Sequence, residues 1–200
     1  MRETLAPDSR SKQLRARTTT AHATLDDRIM AAQPFSSRER YGRFLQVQHA
    51  FYRDIDALYE SPALGALLPD LAGRRRLGRI EADLADLGIA PVPGDGAPVF
   101  DRDAAVPAAL GWLYVAEGSN LGAAFLLKEA IKLGLGESFG ARHLAGAPEG
   151  RGLHWRTFTA ALDGVALDAA GEAAVVAGAN AAFTRVRALV ERLMPASAAA

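Results

Sequence analysis

Cysteine is absent from the 200 residues. That excludes disulfides, thiolate nucleophiles, iron–sulfur clusters and cysteine-ligated zinc or haem. Histidine is scarce at four, so any metal must be held by one of those four or by carboxylates. Net charge is missing too: 23 basic residues balance 23 acidic ones. A dedicated nucleic-acid binder usually shows a clear basic excess, so no nucleic-acid partner is expected. Long apolar runs are lacking. The least polar stretch, 106–127, is interrupted by Glu117, Ser119 and Asn120 and carries glycines. It reads as a buried helix, and no membrane partner is expected. The first eight residues hold no apolar core of a signal peptide, which makes the cytoplasm the expected location.

Runs of alternating β-branched residues are also missing, and good helix formers fill the chain. Alanine alone occurs 42 times, with Leu, Arg and Glu making up much of the rest. The reading is all-α, with one domain and a sizeable core. That domain is expected over 11–194, between tails at 1–10 and 195–200. A first helix starts after Asp8-Ser9 and ends at Gln33-Pro34, with Leu14, Thr18, Ala21, Leu25 and Ile29 on one stripe. Ser36 to Glu39 reads as a capping box opening a helix to about Tyr59. Ser61-Pro62 starts a short helical segment, and Pro69-Asp70 another that runs to about Leu87. Residues 88–98 form a loop. A long helix over 102–133, a glycine-rich turn at 134–140 and helices over 154–162 and 168–193 complete the chain.

His22 lies about 80° round from Leu14 on the first helix, at the edge of the apolar stripe. Asp26 follows one turn later, where it can accept a hydrogen bond from one ring nitrogen. Such a pairing fixes the tautomer of a metal ligand. It equally describes a half-buried histidine satisfied by a carboxylate.

On the long helix, Gly111, Gly118 and Gly122 fall within about 40° of one another. Each costs nearly 1 kcal/mol relative to Ala, so the backbone there must be approached closely. Tight helix–helix packing explains that, and so does a flat ligand lying over a face bordered by Tyr114 and Phe125.

Arg74-Arg75-Arg76 with Arg79 is a basic run that reads either as a solvated helix face or as a docking patch for an acidic reductant. His49, His143 and His154 show no metal-ligand spacing. No histidine has an acid three residues before it, so the Glu-x-x-His pairs of di-iron bundles are missing. Ser119 has neither a local histidine base nor a Gly-x-Ser-x-Gly elbow, which argues against a hydrolase. Trp112 and Trp155 are expected in the core.

A histidine on the first helix with an acid four residues on, then Gly118-Ser119-Asn120-Leu121-Gly122 about 96 residues later, resembles the bacterial haem oxygenases. The match extends over Gly111 to Lys128 and over Phe139-Gly140-Ala141-Arg142-His143-Leu144, and it covers about residues 10–192. The resemblance implies a single-domain multi-helix bundle with haem b, both cofactor and substrate, between a proximal and a distal helix. It implies O₂-dependent opening of the ring to biliverdin, CO and free iron, driven by electrons from a ferredoxin, flavodoxin or reductase. The product would serve iron acquisition or supply a bilin-using photoreceptor.

Carried over, His22 matches the axial iron ligand and Asp26 its hydrogen-bond acceptor. Gly118 and Gly122 match the glycines that let the distal helix lie on the haem. Ser119 stands where mammalian-type members carry an aspartate, and is what the bacterial subgroup uses. Arg15 and Lys128 match positions that meet the propionates, and Tyr114 a pocket aromatic. Relatives releasing the α isomer carry a basic residue and a Tyr at the positions of Arg15 and Tyr114. Those releasing β and δ rely on the lysine matching Lys128. With Arg15 ranked above Lys128, the expected product is mainly biliverdin IXα. Alternatives are a haem carrier or sensor of the same fold, and a non-haem enzyme of the thiaminase-like fold, whose expected cysteine is absent.

Overall fold

A computed structural model describes residues 9–93 and 96–195. Asp8 of the expected first cap, most of both expected tails and residues 94–95 of the loop lie outside the described residues. Seven α-helices are present among them: α1 (Arg10–Ala31), α2 (Arg38–Ile55), α3 (Pro62–Gly65), α4 (Leu77–Asp86), α5 (Val106–Lys132), α6 (Arg151–Gly164) and α7 (Ala169–Leu193). No strand appears among the described residues, only isolated bridges within the 134–140 turn.

The helix boundaries differ from the sequence reading where side chains outcompete local pattern. Ser9 makes no capping hydrogen bond at α1. Ser37, not Ser36, caps α2 by accepting from the Arg40 amide, and Glu39 pairs with Arg43 at 2.8 Å instead of closing a capping box. The helix expected to reach Tyr59 tightens at Asp56–Glu60 into a 3₁₀ turn. The one expected from Pro69 is broken: Ala72–Arg74 is 3₁₀ and α4 begins only at Leu77. The break lets Arg74 and Arg76 turn inward while Arg75 turns out to Asp56 and Glu60. α5 starts later than expected, at Val106, with a proline in its first turn, where a missing amide costs nothing.

The helix α7 is the spine of the bundle, with α5, α1 and α2 packed against it. At the α5–α7 crossing two glycines meet: a Cβ on Gly111 would lie 2.1 Å from the Val175 carbonyl oxygen, and one on Gly178 2.3 Å from that of Ala108. Backbones touch there, so only glycine fits. Among the described residues α7 is the helix with the length and hydropathy to cross a membrane. Its fully buried Val175, Ala179, Ala182 and Val190 account for that composition through packing inside the bundle.

The first helix is held mainly at its ends. The buried Arg10 grips both carboxylate oxygens of Glu172, at 3.0 and 2.6 Å, and also donates to the carbonyls of Leu162 and Val165. Ser11 donates its amide and hydroxyl to Asp163 at 2.7 and 2.8 Å. At the far end Arg28 donates to the Met194 carbonyl at 2.7 Å. Between these pins the buried contacts are only Leu14, Thr18 and Leu25.

Candidate functional site

Between its pins α1 presents His22 outward. The imidazole is 61% exposed, more open than the half-buried position read from the stripe. Its Nδ1 lies 3.1 Å from Asp26 Oδ2, the expected one-turn pairing, and Nε2 has no hydrogen-bond or ion-pair partner among the described residues. The ring stands edge-on to Phe183 of α7, 5.9 Å between centroids. Arg15, two turns before His22, is exposed and forms no ion pair among the described residues. It lies close enough to Tyr114 on α5 to draw that hydroxyl's pKa down, against a larger upward push from burial.

On α5 the three glycines do three different things. Gly111 is consumed by the crossing with α7, so packing alone explains it. A Cβ on Gly118 would sit 3.5 Å from the Trp155 indole, in ordinary contact. One on Gly122 would meet nothing within 4 Å. Around that open position Leu121 and Phe125 are 43% and 55% exposed. Large apolar side chains left beside a bare backbone are what a flat apolar ligand would cover. Ser119 is exposed, and its hydroxyl turns back to the Ala116 carbonyl at 2.7 Å. Tyr52 donates to the same carbonyl at 3.3 Å, beside the Ser119 hydroxyl. Asn120 turns inward, its carbonyl taken by Arg151 at 3.0 Å. Lys128 is exposed and unpaired.

Trp112 is buried as expected, whereas Trp155 is half-buried and forms a wall, tilted against Tyr114 at 5.5 Å and stacked on Phe158 at 5.8 Å. Among the described residues no three His, Asp or Glu converge as a metal site. The surface groove of about 470 Å³ lined by Arg38, Gly42, Asp86 and Ile89 touches none of His22, Gly118 or Gly122.

The arginine run divides: Arg75 and Arg79 are exposed, with Arg75 paired to Asp56 and Glu60. Arg74 and Arg76 are 4% and 6% exposed, so they are neither a solvated face nor a docking patch. Arg76 donates to the His143 carbonyl at 2.5 Å, and Arg74 pairs with Glu117 of α5 at 3.1 Å, behind Gly118. Tyr59 donates to the other Glu117 oxygen at 3.2 Å. His154 places Nε2 3.5 Å from Glu117 and Nδ1 2.7 Å from Glu149, and these partners, Glu117 foremost, raise its pKa. Sequence reasoning missed this cluster. Its one signal was Glu117 itself, a carboxylate inside an apolar helix, which has to be paired.

The chain as a whole is similar to known proteins. A family model described as heme oxygenase matches residues 99–192. Heme oxygenase PigA of Pseudomonas aeruginosa is 45% identical over 195 residues, 95% of this chain and 98% of that protein. The solved NO- and CO-bound heme oxygenase from Neisseria meningitidis matches with a TM-score of 0.89 and 40% identity over 96% of each chain.

Proposed function

This chain belongs to the haem oxygenase family, and on that premise we propose how α1 and α5 serve the reaction. It is a haem oxygenase, an enzyme, rather than a carrier of the same fold. Haem is its substrate and its cofactor. When bound, haem supplies both the iron that engages O₂ and the ring that is opened, to biliverdin, CO and free iron.

The residues fit that group. His22 offers a free Nε2 for the iron, while Asp26 holds Nδ1 and so fixes the tautomer and the ring's orientation. A neutral imidazole does not push electron density as a thiolate does. Gly118 and Gly122 let the α5 backbone lie against the haem face, and Leu121 and Phe125 cover apolar ring edge. Arg15 and Lys128 are the cations for the two propionates. Arg15 is the stronger anchor, because its guanidinium is always charged and forms a bidentate fork. The exposed Ser119 and the buried Tyr52 behind it hold hydroxyls through which a proton can be held or passed. Electrons come from an external ferredoxin, flavodoxin or reductase.

One observation carries the assignment: an exposed histidine whose Nδ1 is engaged by Asp26, in a chain whose α5 carries a face open at Gly122. Adding haem and then ascorbate under air tests it. A Soret band that forms and then bleaches to biliverdin is expected. A Soret band that persists means a carrier, and no band means that neither reading holds.

A further inference from the structure

We propose that Glu117 and Arg74 are positioning residues of this reaction: their buried ion pair fixes the α5 backbone at residues 118–122, and thereby which bridge carbon of the ring is attacked. The inference rests on α5 being the wall that lies over haem.

The pair is almost sealed, with side chains 1% and 2% exposed. Burying two charges costs several kcal/mol each, and apolar residues of equal volume often do as well or better in such places. Stability is therefore a poor reason for the pair; a fixed location is a better one. Within residues 118–122 the other tie is Asn120, which is buried and whose carbonyl accepts from Arg151 at 3.0 Å. Gly118 and Gly122 have no side chain, the Ser119 hydroxyl is turned onto its own helix, and Leu121 points into the open. The backbone contact of α5 with α7, at Ala108 and Gly111, lies two turns away.

Glu117, immediately before Gly118, is gripped from two sides besides Arg74: by the Tyr59 hydroxyl at 3.2 Å and by His154 at 3.5 Å. Arg74 is itself held. It donates to the carbonyls of Pro69 at 3.3 Å and His154 at 3.2 Å, and lies 5.6 Å over the Phe158 ring. Trp155, next to His154, lies against Gly118. The segment before α4, the helix α6 and the middle of α5 are thus locked at one point, directly beneath the glycines.

The decisive variant is the double replacement Arg74→Met with Glu117→Met, which removes both charges and keeps apolar volume. A merely structural pair predicts that this variant behaves as wild type once it is folded. The positioning role predicts a melting temperature close to wild type together with two changes. In the protein without haem, amide hydrogen exchange over residues 111–125 rises about tenfold, as expected when the local opening equilibrium shifts by that factor. In turnover with haem and ascorbate, the minor biliverdin isomers gain at the expense of the main one. Arg74→Lys, run alongside, keeps the charge but loses the fork to His154 and Pro69, and should move both readouts in the same direction. Unchanged exchange and an unchanged isomer ratio in both variants would overturn the proposal. Should Gly122→Leu leave haem binding intact, the assignment of α5 falls instead. The exchange result in haem-free protein still stands or fails by itself.

Discussion

Replacing His22 by Ala leaves the helical fold in place, since the side chain is mostly exposed and touches only Phe183 and Asp26. It should abolish the spectrum of histidine-ligated ferric haem and stop turnover; a variant with native spectra would remove His22 from the site. Asp26→Ala, by contrast, should cost about 10–100-fold in haem affinity or activity, the usual size of an effect exerted through a ligand's hydrogen-bond partner. Arg15 and Lys128 compete at the same scale. With Arg15 beside Tyr114 the product should be mainly the IXα isomer, and Arg15→Asn with Tyr114→Phe should shift part of it to β and δ. Chromatography against the four isomers decides; a mainly δ product would give the ranking to Lys128. His22, Asp26 and Gly122 were legible because one helical turn, or one face, relates them locally. Arg74 and Arg76 were not. Their burial is set by Glu117, 43 residues on, and by His143, 67 residues on, and no local spacing encodes such partners.

On α5 the sequence shows three glycines sharing a face, and an ideal helix cannot say that each meets something different. The structure separates them and so makes opposite predictions for chemically similar changes. Gly111→Ala drives a methyl group into the backbone of α7, 2.1 Å from Val175 O, where no side chain can give way. It should destabilise by about 1–3 kcal/mol or more, as overpacking does. Gly122→Ala meets open space and should raise the stability of the haem-free protein by up to about 1 kcal/mol through helix propensity. Gly122→Leu should do much the same while blocking haem. Urea melts of the three variants check the set, and a stabilised Gly111→Ala would contradict the crossing described above. The helices with long apolar periodicity were readable to within a few residues. The 72–76 segment was not, because its geometry answers to buried arginines rather than to its own propensity.

At the level of the whole molecule, the buried histidines impose a pH dependence whose sign differs from one to the next. Burial holds the pKa of His143 below its ordinary 6.5 despite the Asp83 carboxylate, and does the same for His49. The unfolded chain therefore takes up those protons first, and stability should fall as the pH drops through about 6.5. His154 runs the other way: its raised pKa adds stability below 6.5 that is lost as the pH rises through the folded value. Denaturation midpoints across that range should show a shallower acid limb in His143→Asn and a flatter alkaline side in His154→Gln. If His143→Asn keeps the acid limb, other groups set it. The all-α architecture followed from composition and periodicity. The order of packing did not, because α7 was chosen as the spine by contacts among elements far apart in the chain. That choice has a consequence for biosynthesis. The pins of α1, from Arg10 to the Leu162 carbonyl and from Arg28 to that of Met194, reach 152 and 166 positions ahead. Contacts closing such long loops form late. A nascent chain emerging from the ribosome therefore carries an α1 whose end contacts close only once α6, and then the residues after α7, have been made.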